Sequence, residues 1–308
     1  MTLINTPQVW QIDPTSHTAE LVHEFLHAIS AMGIAEYKQD VFAVVSSTFT
    51  PALRSSAHTV HQNIGNFSDT TATATTGSWS TWTLDFNRRR KHSKLVSVDK
   101  IVDIPSAEFL NGMTAVPSTP GILLAADSGA GLVYRIDASS KTWSVFLDDP
   151  TLKPNSTAAI KLGVNGVHVH DDCLYFDNSF RSPLLARVPY YARNATAAGP
   201  VEVIFESATF PLNEGRGQAD DFAFDRVGNV WLSSASSSVV KLDPKVKTQT
   251  LVAGGPNDPV LVGSTSTTFG RTKRDRDVLY ITTNGGISDP SVAGLTGGRV
   301  VALNTRWL

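Results

Sequence analysis

Two carboxylates, Asp220 and Asp221, stand side by side in this chain. Neighbouring side chains on a strand point to opposite faces, so one is expected to face a cavity and the other a packed interior or a neighbouring unit. A carboxyl in a partly apolar funnel is pushed toward its neutral form and can act as a general acid. The simpler reading is a turn carboxylate that accepts backbone amides. Asn111 and Asn165 each precede a glycine. They are either turn residues or amide dipoles fixed against a substrate carbonyl. His168 and His170 flank Val169 and share one strand face. With no third ligand close in sequence, they read as structural histidines rather than a metal pair. Cys173 sits in an apolar run without a base partner, as an inert buried thiol would. No phosphate-cradling glycine loop, Gly-x-Ser-x-Gly elbow or zinc motif occurs.

The elements that must hold these residues recur. Four segments share one order of turn, apolar strand, turn, apolar strand, turn and third strand. They open at Leu110-Asn-Gly-Met, Val164-Asn-Gly-Val, Ala219-Asp-Asp-Phe and Thr267-Thr-Phe-Gly. Their anchors Asn111, Asn165, Asp220 and Thr267 lie 54, 55 and 47 residues apart, the period of propeller blades. A four-stranded unit cannot bury both of its faces alone, so several pack radially around a channel. Counting backward adds a blade with strands at Gly33–Tyr37, Asp40–Ser46, Trp79–Phe86 and Leu95–Val102. A first blade over about residues 1–30 supplies three strands and lacks the innermost. The chain therefore reads as a single all-β domain over 1–308, a six-bladed β-propeller of four-stranded antiparallel blades around a central channel. Ala19–Ser30 has a weak helical period, but in a propeller Leu21–Phe25 reads better as an outer strand. The chain enters its first blade one strand late, and another segment or a longer native N-terminus would fill that slot.

In a propeller, inner-strand starts and the loops between second and third strands share one mouth. That places Asn111, Asn165, Asp220, Asp221, Thr267, Thr268 and Phe269 there, with Ser128, Asn178, Phe180, Ser234 and Asn284. A Ser/Thr/His-rich insertion over 48–77 carries Phe49, His58, His61 and Phe67, flanked by Trp79, and is either a functional lid or disordered. Phe49, Trp79, Ser128, Asn178, Phe180, Thr268, Phe269 and Asn284 are the expected substrate contacts.

Composition narrows the classes. With 26 basic and 28 acidic side chains the net charge is −2, which supplies no basic field for a nucleic-acid backbone. No apolar run approaches the roughly 18 residues of a membrane span. The single cysteine excludes an intrachain disulfide framework. Met1-Thr2-Leu3-Ile4 begins no secretory leader. The chain as given reads as cytoplasmic, and sequons at Asn66, Asn155 and Asn194 leave a secretory origin open. Oligomeric state is not legible.

These blades resemble the SMP-30/gluconolactonase-like six-bladed propellers. The resemblance rests on Asn-Gly-Met, Asn-Gly-Val, Ala-Asp-Asp-Phe-Ala-Phe-Asp and Ala-Asp-Ser-Gly, and covers nearly the whole chain. It is strongest to a fungal branch with a Phe-Leu-Asn-Gly-Met blade and a late Phe-Gly-Arg…Asp-Val-Leu-Tyr-Ile-Thr-Thr blade. Lactonases of the superfamily hold one divalent cation at the channel mouth. By resemblance Asn165 and Asp220 match ligand positions, and Asn111 matches another. The family's Glu, which directly follows the opening glycine, has no counterpart: Gly33 is followed by Ile34, and Glu36 lies two residues on. One carboxylate and two amides make a weak set for a hard cation.

The fungal branch includes hetero-Diels–Alderases of tropolone sesquiterpenoid pathways, which join a quinone methide to a terpene alkene. The resemblance thus implies a cofactor-free, metal-independent cyclase acting on an apolar small molecule. In it, Asp220 or Asp221 would serve as acid and Asn111 and Asn165 as orienting groups. The competing expectations are a Ca²⁺- or Zn²⁺-dependent lactonase using Asn111, Asn165, Asp220 and Glu36, and a non-catalytic ligand-binding propeller.

Overall fold

Each apolar run of the repeat folds as a strand, and consecutive strands pair as antiparallel hairpins. The computed structural model describes residues 1–3, 6–48, 77–88, 96–157, 161–180, 184–206, 219–255, 258–286 and 296–308. Phe49 and nearly all of the 48–77 insertion lie outside them. A two-stranded ribbon comes first, β1 (Gln8–Asp13) and β2 (Thr18–Glu24), with Thr2 bridged to Val9. The next blade is β3 (Ala28–Lys38), β4 (Val41–Thr48), β5 (Trp79–Asp85) and β6 (Ser97–Asp103). It is followed by β7 (Leu110–Ala115), β8 (Ile122–Asp127), β9 (Leu132–Asp137) and β10 (Thr142–Leu147). The third contains β11 (Val164–His170), β12 (Cys173–Asn178), β13 (Leu185–Tyr191), β14 (Thr196–Ala197) and β15 (Glu202–Phe205). Then come β16 (Ala219–Phe224), β17 (Val230–Ser234), β18 (Ser238–Asp243) and β19 (Thr248–Gly254). The last has three strands, β20 (Ser264–Phe269), β21 (Val278–Thr283) and β22 (Arg299–Asn304). Helix is confined, among the described residues, to two single 3₁₀ turns.

This is an all-β propeller, but it has five blades where the sequence predicts six. The expected first blade is the β1–β2 ribbon; of the expected Thr2–Ile4 strand, Thr2 makes one bridge, to Val9, and Ile4 lies outside the described residues. Without an inner strand that ribbon has nothing to bury on its axial side, and β2 is mostly exposed. The Leu21–Phe25 stretch is strand through Glu24, as its better reading predicts, and a turn at 26–27 then leads into β3.

The core sits between sheets. Val9, Phe25, Val44 and Leu84 join the ribbon to the β3–β6 blade. Trp79, Ile104, Leu110, Leu123 and Ile136 fill the next wedge. Leu124, Val133, Val167, Leu174 and Phe176 fill the one after it. Phe222, Leu232 and Val240 pack on Leu185 and Phe205, and Trp231 and Val239 pack on Leu279 and Ile281. Strands between two wedges must be apolar on both faces, and β8 is buried at all six positions. Radial packing therefore sets the inner strands β3, β7, β11, β16 and β20 side by side in that order.

Candidate functional site

All five inner strands lose register at the same height. The breaks fall between Ala31 and Ile34, Leu110 and Met113, Val164 and Val167, Ala219 and Phe222, and Ser264 and Ser266. A bulge adds residues that the partner strand does not match, and it re-aims their side chains. The bulged pairs are Met32-Gly33, Asn111-Gly112, Asn165-Gly166 and Asp220-Asp221, with Thr265 alone in β20. The glycines are required by the approach of the next strand. A Cβ on Gly33 would strike Asn111 O, and one on Gly112 would strike Asn165 O. At Gly166 it would lie 2.6 Å from Asp221 Oδ1 and 2.9 Å from Asp177 Oδ1.

The bulges build two layers of polar groups. In the layer nearer the mouth, Asn111 Nδ2 donates to Ser128 Oγ at 3.2 Å, and Ser128 Oγ donates to Val164 O at 2.6 Å. Asn165 Nδ2 donates to Ser179 Oγ and to Asp220 Oδ1, both at 2.9 Å. Both Asn165 amide hydrogens are thus engaged, so its role toward a ligand is to accept through Oδ1. The deeper layer centres on Asp221. His168 Nε2 lies 2.8 Å from Asp221 Oδ1, and Ser266 Oγ donates to Asp221 Oδ2 at 2.6 Å. Asp220 and Asp221 do not face opposite sides as strand alternation predicts. The bulge suspends alternation, and both carboxylates reach toward neighbouring inner strands.

The electrostatics follow from this crowding. Burial, then the nearby Asp221 charge, pushes the Asp220 carboxyl up to about 7, against the opposing hydrogen bond from Asn165. Asp177 is fully buried behind Gly166, whose N–H it accepts at 2.5 Å, and its Oδ2 has no partner among the described residues. Burial, with Asp221 and Asp220 adding to it, drives its carboxyl well above the ordinary aspartate range. An acid poised near neutrality can give up a proton in catalysis, and Asp220 meets that condition.

The remaining sequence-predicted contacts scatter. Ser128 is buried and serves Asn111 and the backbone. Asn178 is buried, and its Nδ2 clamps Thr151 O and Lys153 O at 3.0 and 3.1 Å. Phe180 is half-buried just beyond it. Asn284 follows β21 at the mouth and accepts from Gly286 N at 2.9 Å. Trp79 is 1% exposed, in the core, with Nε1 donating to Glu108 O and its ring edge-on to Phe109. Its size and apolar neighbours assign it to packing rather than to a substrate. Thr268 and Phe269 lie at the far end of β20, opposite Tyr280 and Leu279, while the bulge sits at Thr265. The sequence anchor at Thr267 is therefore two residues late, because the side chain of Thr267 is buried and bonds Trp231 O. Phe269 packs on Trp231. Cys173 is half-buried, and burial raises its thiol, consistent with an inert group.

Sequence reasoning missed His168 as the partner of Asp221. The alternation of His168 and His170 puts both on one face, against β16: His168 meets Phe222 edge-on, and His170 stacks on Phe224 at 4.2 Å.

The fit of a divalent cation can be judged from the donors. Asn111, Asn165 and Asp220 occupy successive bulges and leave amide and carboxyl oxygens toward the channel. Glu36 does not join them. It lies at the β3–β4 hairpin, accepts from Asp40 N at 2.7 Å and pairs with Arg271. What remains is two neutral amides and one carboxyl that favours its proton, a poor set for a hard cation. Among the described residues no three His, Cys, Asp or Glu side chains converge as a metal site, and no helix is long and apolar enough to cross a membrane.

No protein-family model matches the chain. Among solved structures it is similar to a luciferin-regenerating enzyme, at 14% identity and TM-score 0.61, covering all of this chain and 94% of that one. Regucalcin, a calcium-binding protein from Agrobacterium tumefaciens, aligns at 16% identity and TM-score 0.58, over 98% of this chain and 85% of that one. The nidogen/laminin complex gives 12% identity and TM-score 0.61 over 99% and 88%. These likenesses concern the fold. By sequence the chain is 22% identical, over 90% of its length, to two proteins that carry hetero-Diels-Alderase as a provisional name. One, asR5 of Sarocladium schorii, is covered over 70% of its length, and the other, of a Phoma species, over 77%. The chain is thus a β-propeller whose distant sequence relatives are named for a pericyclic cycloaddition.

Proposed function

We propose that this protein is a metal-independent cyclase of fungal natural-product biosynthesis, in the SMP-30/gluconolactonase-like propeller superfamily. It couples a quinone methide of polyketide or tropolone origin to a terpene alkene in a hetero-Diels–Alder-type reaction. The observation that carries this reading is Asp220, a carboxyl held by Asn165 and pushed up to about 7. A neutral acid there protonates the leaving hydroxyl of a precursor and so releases the quinone methide. Asn111 and Asn165 orient the reactants, since a bound near-attack pair converts a bimolecular addition into an effectively unimolecular one. The two relatives' names support the same class of chemistry.

A second reading is favoured by the alignment of Asn111, Asn165 and Asp220 on successive bulges: a lactonase holding Ca²⁺ or Zn²⁺, for which Glu36 would have to leave Arg271. A third is a ligand-binding propeller without catalysis. Metal analysis of the purified protein, with assays before and after chelation, separates them. The cyclase reading predicts that cycloadduct formation survives chelator. Stoichiometric metal, with lactone hydrolysis abolished by chelator, would refute it.

A further inference from the structure

The channel holds a second proton-handling group that the acid role of Asp220 leaves unused. Asp221 Oδ1 faces His168 Nε2 at 2.8 Å, and Asp221 Oδ2 is closed by the Ser266 hydroxyl at 2.6 Å. These three residues come from β11, β16 and β20, so the carboxylate ties three inner strands together. Facing a carboxylate, Nε2 carries the proton of the neutral imidazole, and Nδ1 keeps its lone pair. Phe222 meets the ring edge-on at 4.8 Å and limits its rotation. The His168 side chain keeps 31% of its surface accessible. Among the described residues no hydrogen bond occupies Nδ1, and it is not among the buried unpaired atoms. The order of the three groups matters. Ser266 bonds the carboxylate rather than the imidazole, so His168 cannot activate it as a nucleophile. What the arrangement prepares is a base.

We infer that His168 is the base of the channel, positioned by Asp221 and Ser266, and that it accepts a proton from an acidic ring hydroxyl of the substrate. This deepens the cyclase reading and rests on it for the identity of the reaction. The substrate class is an aromatic or tropolonic alcohol whose ring hydroxyl is conjugated with a carbinol carbon. The ring O–H bond breaks toward Nδ1 and its electron pair forms the ring carbonyl. The carbinol C–O bond breaks, and the departing oxygen takes the Asp220 proton and leaves as water. The product is a neutral quinone methide, with no net oxidation. His168 ends with one proton more and Asp220 with one fewer, and exchange with water restores both.

The test has two independent arms. ¹⁵N NMR of labelled histidine reports the tautomer of the neutral ring. Wild type should show Nε2–H with an unprotonated Nδ1, and Asp221→Asn should abolish that preference. A wild-type Nδ1–H tautomer would overturn the assignment. In the second arm, turnover of a hydroxybenzyl-type alcohol with an added alkene is followed. His168→Gln keeps a donor for Asp221 but has no basic nitrogen, and should lower turnover by about 10²–10⁴-fold. His168→Ala should fall similarly and be partly restored by free imidazole, with melting curves confirming the fold. Full turnover by His168→Gln would refute the base. If wild type converts no such alcohol, the cyclase reading fails, and the base assignment is then decided by the tautomer.

Discussion

Replacing Asp220 by Asn tests whether the channel acid is neutral at physiological pH. The folded protein holds its carboxyl at about 7, against 3.8 for an ordinary aspartate. Folded protein therefore binds a proton that the unfolded chain has lost between these values. Stability is fully present below pH 3.8, falls as pH rises, and is level once both states are ionised above 7. The difference of about 3 pH units corresponds to roughly 4 kcal/mol at 1.36 kcal/mol each. Asp220 is only partly buried from channel water, which screens part of this and leaves on the order of 2 kcal/mol. The amide of Asp220→Asn has nearly the same shape and never ionises, so its stability lacks that decline. Asn165 can turn its amide oxygen to meet it. Wild type and variant should thus melt together near pH 4, and the variant should melt about 4 °C higher near pH 9. Asp177 titrates in both, and losing the Asp220 charge eases its ionisation, which adds in the same direction. Calorimetric melting across pH 4–9 is the assay. Parallel curves would show that Asp220 ionises like a surface aspartate and would refute the acid argument. With the acid intact, turnover should fall as pH rises through about 7.

Two further predictions concern the frame of the site. Gly112→Ala would drive a methyl into Asn165 O, and should cost about 1–3 kcal/mol of stability and displace both amides. Urea unfolding and turnover measured together would show the coupled loss, whereas unchanged turnover would separate the glycine from the site. Trp79→Ala should cost about 3–5 kcal/mol by leaving a core cavity, with substrate affinity of the surviving folded protein unchanged.

Repeat and strand content were legible because they depend on local pattern. Apolar runs alternating with turns every fifty residues allow few alternatives to radially packed hairpins, and the strands at Cys173–Asn178 and Val278–Thr283 lie where the pattern places them. The Asn-Gly pairs also marked the bulges of two inner strands, since a glycine is needed where adjacent inner strands converge. The blade count was less legible, because three strands in sequence look like a blade whether or not an inner strand completes them. Thr267 was misplaced since the bulge in β20 contains one residue rather than two, a difference that periodicity cannot register.

By itself the sequence determined the all-β repeat and most of its strands, because apolar runs and turns are set within each unit. Only the tertiary structure decided which chemistry those residues can do. His168 and Asp221 are 53 positions apart, and Ser266 lies 45 beyond Asp221. Their meeting depends on how far each bulge turns its strand and how closely neighbouring blades pack. The same packing carries Glu36 to Arg271 and away from the amides. Whether a carboxyl is an acid, a ligand or a clasp is set by the burial and charge around it, and those come from several blades at once.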